Sequence, residues 1–383
     1  MSKKTIYIWE TLSNIGGGQR VSLEVADILS PTYNVIFLLP SAGELSEALD
    51  ERKISYHFMG DFSLKLGKKD LVSIFKYLSI RRRAKKNFKT FYKLDKPDLL
   101  YCPGPAALPL AASCGQKFHL PVVWHLHHLF ESRLSLKLIR HYSKFSSVRW
   151  IIAVSQTVAD QINNQRAKEK TKVIYNFVDS SRFEKGVPDP EILQHAQKGT
   201  LRICEVGFIQ PSKCQLLLLQ SLVELQKMGV STNVYFAGSV RDEEYKQRID
   251  AFVQANNLTK SVFFLGYRKD TENIYAAMDL IVVPSSLEGY SLVVVEAESS
   301  CKKIIVPNRG GAFELHSVFG VGFSFTDGDA ESLAQAVRKA SISTFDIEAR
   351  RRLLLACNQS VFSKRIRDVF EAAFDARKTE ESR

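Results

Sequence analysis

No apolar run in these 383 residues approaches the roughly 20 that a membrane-spanning helix needs. The start, MSKKTIYIWE, has basic residues but too short an apolar stretch for a secretory leader, and reads as a first strand. Cysteine is sparse and scattered. Cys102, Cys114, Cys204, Cys214, Cys301 and Cys357 include no C-x-x-C pair, which argues against zinc or a disulfide framework and for a reduced, cytoplasmic setting. No short repeat, no low-complexity tract and no G-x-G-x-x-G is present, so a nicotinamide-dinucleotide site is weakly supported.

Acidic residues are scarce in one half only. Residues 1–180 hold 27 Lys and Arg against 15 Asp and Glu, while residues 181–383 hold 26 of each, so the whole net charge of +12 sits in the first half. Much of it lies between Lys65 and Lys96, where only Asp70 and Asp95 oppose twelve cations. Leu71, Ile74, Phe75, Leu78, Phe88, Phe91 and Tyr92 recur there at helical spacing. Such a basic amphipathic segment can lie on anionic lipid, with each cation near the surface contributing about 1 kcal/mol. A solvated helix whose apolar side packs into its own domain fits the same pattern. No nucleic-acid recognition motif accompanies the charge.

A composition of 45% hydrophobic and 25% charged residues is that of a globular protein, and the length calls for two domains. Apolar, β-branched runs recur at TIYIW, NVIFLL, LLYCP, VVWHLH, WIIAVS and KVIYN, and again at LRICEVG, NVYFAG, SVFFLG, LIVVPS and KIIVPN. Helical patterns separate many of them. Strands apolar on both faces belong to parallel sheets. The expected fold is therefore α/β, with two doubly wound, Rossmann-like domains facing a cleft. Expected boundaries are an N-terminal domain at 1–180, a linker at 181–200 and a C-terminal domain at 201–365. A helix and tail at 366–383 have the option of returning to the first domain.

The most informative stretch is SLEGYSLVVVEA, residues 286–297. DLIVVPSS before it reads as a strand entering a loop, and EAESSCKK as the remainder of a helix. Glu288 then falls in a strand-to-helix loop at the carboxyl edge of a sheet, where ligands bind in open α/β folds. Glu296 falls about two turns into the helix. Backbone N–H groups from Gly289 to Leu292, with the helix dipole behind them, suit a phosphate. A capped helix with one partly buried glutamate fits the spacing as well.

Other loops carry polar chemistry. SNIGGGQR places Gly17 and Gly18 between a strand and a helix, where backbone can approach a ligand, or where a glycine-rich turn simply bends. VGFIQPSKCQ places Lys213 in the first loop of the second series, able to neutralise a diphosphate or to stand in solvent. NRGGAFELH puts Gly310 and Gly311 after a strand and Glu314 at a possible helix start. In WHLHHLFE, alternation puts His125 and His127 on one face and His128 on the other. A His-x-His pair can bind metal, but no carboxylate or cysteine at ligand spacing accompanies it. A cleft histidine orienting a sugar hydroxyl and a buried structural histidine are the other readings.

In their order, these segments resemble the GT-B glycosyltransferases of the large retaining family four, the group 1 glycosyl transferases. AVSQTVADQI with KVIYNFVDSSRF resembles the end of the family's first domain. VGFIQPSKC resembles its diphosphate loop, and IYAAMDLIVVPSSLEGYSLVVVEA its strand-loop-helix signature. PNRGGAFEL and GDAESLAQAV resemble the family's segments beyond that signature. The resemblance implies a retaining, hexosyltransferase-type enzyme. It would move a sugar from a UDP- or GDP-sugar to a glycan or lipid-linked acceptor in cell-surface polysaccharide or lipopolysaccharide synthesis.

It would need no metal and no cofactor, and would sit in the cytoplasm or peripherally on the inner face of the plasma membrane. Glu288, His127 and Lys213 would be catalytic. Gly17, Gly18, Lys213, Glu288, Gly289, Tyr290, Ser291, Leu292 and Glu296 would hold the donor, with Glu296 on the ribose. A non-catalytic nucleotide-sugar-binding subunit and a nucleotide-sugar epimerase or hydrolase are the alternatives. Several positions depart from the family pattern. Phe208 and Ile209 stand where an arginine is frequent, so one diphosphate cation is missing or comes from elsewhere, with Arg20 and Arg309 as candidates. Cys214 replaces a common glycine, Tyr290 and Ser291 replace Phe-Gly, and His128 stands where an acidic residue is frequent.

Overall fold

The computed structural model describes residues 3–60, 71–162, 164–195, 199–285 and 287–381, with side chains from 71–78 and 376–381 left aside. The chain forms two compact units, one of residues 1–175 and 362–383, the other of residues 176–361. Each is built on a wholly parallel sheet.

In the first unit the strands are β1 (Thr5–Trp9), β2 (Asn34–Leu39), β3 (Ser55–Phe58), β4 (Leu99–Cys102), β5 (Val122–Leu126), β6 (Val148–Ala153) and β7 (Thr171–Val173). They lie in the order β3-β2-β1-β4-β5-β6-β7. The central strands β1, β4 and β5 are buried at every position, as helices on both faces of a parallel sheet require. The register pairs Tyr7 with Ile36 on one side and Leu100 on the other.

The long helix Leu71–Asp95 turns an apolar edge inward. Ala84 and Phe88 are fully buried, and Phe88 stacks on Trp9 at 5.7 Å. Asp95 is taken up by Tyr7 Oη at 2.5 Å and His57 Nε2 at 2.6 Å. Arg82, Lys86, Lys89 and Lys93, spaced for one helix face, stay exposed. At Ala84 and Phe88 the apolar side of this basic segment thus packs into its own unit, while the side chains of Leu71, Ile74, Phe75 and Leu78 lie outside the described ones. Residues 65–70 of the segment lie outside the described residues.

The second unit has β8 (Leu201–Val206), β9 (Thr232–Ala237), β10 (Val262–Gly266), β11 (Leu280–Val282), β12 (Lys303–Pro307) and β13 (Phe323–Phe325), in the order β10-β9-β8-β11-β12-β13. Leu218, Leu222 and Leu225 of helix Gln215–Lys227 share one core with Phe236 of the sheet and with Leu333 and Val337 of helix Ala330–Ile342. In both sheets the order reverses beside the first strand, at β1/β4 and at β8/β11. Crossovers run in opposite directions from that line, so the loops leaving these strands part and open a crevice.

The last helix, Gln359–Glu381, belongs to the first unit from Phe362 onward. Its Phe370 is fully buried with its ring centroid 5.4 Å from that of Tyr101, and Phe374 stacks on Tyr33 at 5.2 Å. Phe370→Ala should lower the stability of the first unit by about 3–5 kcal/mol, the usual cost of emptying a phenylalanine site. All three tryptophans, Trp9, Trp124 and Trp150, lie in that unit. Their fluorescence in a urea titration reads this change, and an unmoved midpoint would refute the packing role.

Candidate functional site

The crevice of the second unit is built on Glu205, the penultimate residue of β8. Its side chain points into the protein and the residue is 2% exposed. Gly207 follows, and a Cβ there would lie 2.9 Å from Glu205 Oε1, so any other residue would push the carboxyl aside. The short turn Pro211–Lys213 ends at Cys214, whose φ of +56° is left-handed. That explains why glycine is common at this point: it adopts the conformation freely, whereas a Cβ is strained there. Gln215 opens the next helix fully buried. Its Nε2 donates to Glu205 Oε2 at 3.2 Å and to Phe208 O at 3.0 Å.

Lys213 folds back along Gly207 and forms an ion pair with Glu288. Glu288 arrives on the loop after β11, the other side of the reversal. Its carbonyl accepts from Gly311 N at 2.7 Å. A Cβ on Gly311 would stand 2.2 Å from Gly289 O, so backbone presses on backbone and Gly311 sets the position of the Glu288 loop. Tyr290 donates to Asn176 O at 2.8 Å and lies 3.3 Å from Cys357 Sγ. The hydroxyl that distinguishes it from phenylalanine is therefore used to anchor the loop. Ser291 is the N-cap of helix Leu292–Ser299 but makes no cap bond. Its Oγ is buried without a partner among the described residues. Ser286 lies outside them.

Glu296 is the fifth residue of that helix, about one turn in rather than two, and accepts from Tyr275 Oη at 2.8 Å. Glu314, expected at a helix start, is likewise the fifth residue of helix Gly310–Phe319, because that helix begins at the glycines themselves. Of the two cations considered as replacements in the diphosphate loop, Arg309 pairs with Asp327 at 3.1 Å, and Arg20 belongs to the first unit.

Electrostatics divide the charged groups. Burial works to lower the pKa of Lys213, but the Glu288 carboxylate outweighs it and the ammonium is held charged. Burial pushes Glu205 up to about 8 against the pull of Lys213, so at neutral pH it is mostly protonated. The result is one cation and one anion in contact, with a neutral carboxyl behind them.

The first unit repeats the arrangement. Glu10, just beyond β1, is buried and accepts from Ser22 Oγ at 2.5 Å and Gln19 Nε2 at 3.1 Å. Burial raises its pKa. The helix above it begins at Gly17, and a Cβ at Gly17 or Gly18 would meet nothing within 4 Å. Packing inside the protein therefore does not explain these two glycines.

His125 and His127 leave β5 on one face, with ring centroids 4.0 Å apart. Tyr101 Oη is 2.6 Å from His125 Nδ1. Burial lowers the His125 pKa to about 3, and burial with two histidine neighbours drives that of His127 well down. Both are neutral rings, and the Nε2 of each is buried without a partner among the described residues. His127, Gly17 and Gly18 thus belong to the first unit, while Lys213, Glu288 to Leu292 and Glu296 belong to the second. Glu10, Glu205 and Gln215 were not anticipated. Their one signal is an acidic residue closing an apolar strand, in TIYIWE and LRICEV.

Two doubly wound parallel units, each with its polar groups gathered where strand order reverses, define the GT-B class. The chain belongs to the group 1 glycosyltransferases: residues 192–353 match the model of the family Glycosyl transferases group 1, and residues 15–182 match Glycosyltransferase Family 4. It is 24% identical to an Escherichia coli UDP-Gal:alpha-D-GlcNAc-diphosphoundecaprenol alpha-1,3-galactosyltransferase, over 78% of this chain and 77% of that one. It is 26% identical to the Staphylococcus aureus capsular polysaccharide biosynthesis glycosyltransferase CapM, of which it spans about half, 51%. The fold is similar to that of Anabaena HepE in complex with UDP-glucose, with a TM-score of 0.74 at 20% identity, covering 96% of this chain and 99% of that one. Among the described residues, no helix is long and apolar enough to cross a membrane.

The Glu205 carboxyl makes a testable pH dependence. Folded, it titrates near 8, against an ordinary value of 4.5. Between those values the unfolded chain has released the proton and the folded one has not, so this group's contribution to stability falls as pH rises. Glu205→Gln should melt close to wild type at pH 5 and above it at pH 8. A difference in melting temperature that is the same at both pH values would contradict a neutral, buried Glu205.

Proposed function

We propose that the chain transfers a hexose from a UDP- or GDP-sugar to a glycan or lipid-linked acceptor, with retention at the anomeric carbon. The observation that carries this is the Lys213–Glu288 pair at the strand-order reversal, beside the unused N-cap of helix Leu292–Ser299. A cation, a helix N-terminus and main-chain amides together suit a diphosphate. The UDP-glucose complex of a protein with this fold and the UDP-Gal donor of the Escherichia coli relative support a nucleotide-sugar there.

In this reading Lys213 and the backbone from Gly289 to Leu292 hold the diphosphate, and Glu296 holds the ribose, its carboxylate already oriented by Tyr275. Glu288 keeps Lys213 charged and aimed, and lies near the donor sugar. The bond from the anomeric carbon to the diphosphate breaks as the acceptor oxygen approaches on the same side. The acceptor's proton passes to a departing phosphate oxygen. Catalysis is then positioning plus stabilisation of the leaving charge. A neutral His127 offers a hydrogen bond to sugar hydroxyls without adding a charge. Gly17 and Gly18 let substrate approach the backbone, which accounts for glycines that packing does not require.

Calorimetry with UDP, GDP and ADP tests the site. One nucleotide should bind, and Lys213→Ala and Glu296→Ala should each weaken it roughly tenfold or more, the loss of a hydrogen bond to a charged group. No binding by folded wild type would overturn the donor site, and binding without turnover on any acceptor would favour the non-catalytic nucleotide-sugar-binding subunit. With donor and acceptor supplied, the anomeric configuration of the product read by NMR decides retention, and an inverted product would refute it.

We also place the exposed face of Arg82, Lys86, Lys89 and Lys93 against an anionic membrane surface at the inner leaflet. The lipid-linked acceptor of the Escherichia coli relative supports this. Replacing these four by glutamine should reduce sedimentation with vesicles rich in phosphatidylglycerol, by about 1 kcal/mol per charge. Unchanged sedimentation would remove the membrane from the proposal.

A further inference from the structure

The loop after β8 lacks a cation at Phe208, yet a guanidinium lies on that residue. Arg241, from the loop after β9, places its Cζ 3.5 Å from the centre of the Phe208 ring. The two loops are locked together. Ile209 pairs with Val240, Ile209 N donates to Ser239 O at 3.0 Å, and Arg241 N donates to Ile209 O at 3.1 Å. A Cβ on Gly238 would fall 1.9 Å from Gly207 O, so glycine at 238 is what allows this approach. Gly207 is also the residue along which Lys213 runs. Arg241 and Lys213 therefore flank one turn, Gly207–Phe208.

Three features separate Arg241 from an ordinary surface arginine. Among the described residues no acidic side chain pairs with it. The nearest in sequence, Asp242, has its carboxylate accepting from Tyr245 N at 2.9 Å as the cap of helix Glu243–Ala255. A cation just before a helix N-terminus opposes the helix dipole, so the position is not one that favours folding. And a guanidinium whose Cζ rests over an aromatic ring rather than against a carboxylate keeps N–H groups for a two-pronged contact with phosphate oxygens.

We propose that Arg241, held over the Phe208 ring, supplies the second cation for the diphosphate of the donor, in place of an arginine in the β8 loop itself. This rests on the donor-site reading above. Lys213 already faces Glu288, so one positive charge at the turn is matched. Arg241 adds the unmatched charge that a diphosphate, carrying more than one negative charge, calls for. Phe208 is then a positioning residue, acting through the arginine it supports.

The test is calorimetric titration of the full chain with UDP, GDP and ADP, followed by the nucleoside of whichever binds. Arg241→Ala should weaken the diphosphate roughly tenfold to a hundredfold, the range for a hydrogen bond to a charged group. It should also flatten the salt dependence of binding and leave the nucleoside's affinity unchanged. Phe208→Leu should weaken the diphosphate by a smaller factor. Because Arg241 is exposed, its variant should melt with the wild type. A wild type that binds a nucleoside diphosphate while Arg241→Ala binds it equally well overturns this inference alone. An equal loss for diphosphate and nucleoside overturns it too, as general damage to the site. A folded wild type that binds none of the three overturns the donor-site reading and this inference with it.

Discussion

A parallel sheet has no hairpins. Every strand must be followed by a crossover that returns the chain to the opposite edge, and both faces must be covered by the helices that do so. All loops that leave strands then collect at one edge, and where the order reverses two of them diverge. In the second unit these are the loops after β8 and β11. That single constraint brings Lys213 within contact of Glu288, 75 residues further along the chain. The glycine contacts follow from it. Gly238 and Gly311 each sit where the backbone of one of these loops, at Gly207 or at Gly289, leaves no space for a Cβ.

The charges at this edge depend on how deeply each is buried. Two carboxyls, Glu205 and Glu288, share one ammonium. Both ionised, they would leave an uncompensated negative charge in a low dielectric where an anionic ligand is to bind, at a cost that burial makes severe. Glu205 is covered and stays protonated, which leaves Lys213 and Glu288 as a neutral pair. The same logic keeps His125 and His127 neutral in the first unit. Stripping charge from the supporting groups leaves the field at each crevice to the few groups that remain ionised.

Most of the architecture was legible because buried parallel strands are near-continuous apolar runs, as in TIYIW and KIIVP. SYHF, which forms β3, and FSF, which forms β13, were not. They are edge strands, short and partly exposed, and carry no such run. Glu288 was found because Pro-Ser-Ser marks a strand's end, and Lys213 because a loop between strand and helix frames it. Glu296 was placed too far along its helix because Ser291, as N-cap, starts it later than the apolar pattern suggests. Arg241 was invisible for a different reason. Its partner Phe208 lies 33 residues away on another loop, and only the pairing of Ile209 with Val240 brings the two together. Sequence pattern reports what is periodic along the chain, and this contact is made between two loops.

Glu10 with Gln19 and Glu205 with Gln215 form one device used twice. In each unit the first strand ends in a buried carboxyl, and a glutamine at or near the start of the next helix donates to it. The loop between them, Thr11 to Gly16 or Gly207 to Cys214, is thereby closed by a side-chain bond beneath it. A polar bond in a buried site is expensive to break, because each partner would be left unsatisfied. The loop above can then expose main-chain groups and tolerate the left-handed Cys214 or the run of glycines at 16–18 without fraying. A ligand meeting such a loop does not have to order it, so the cost of immobilising the loop is met at folding and not again at binding.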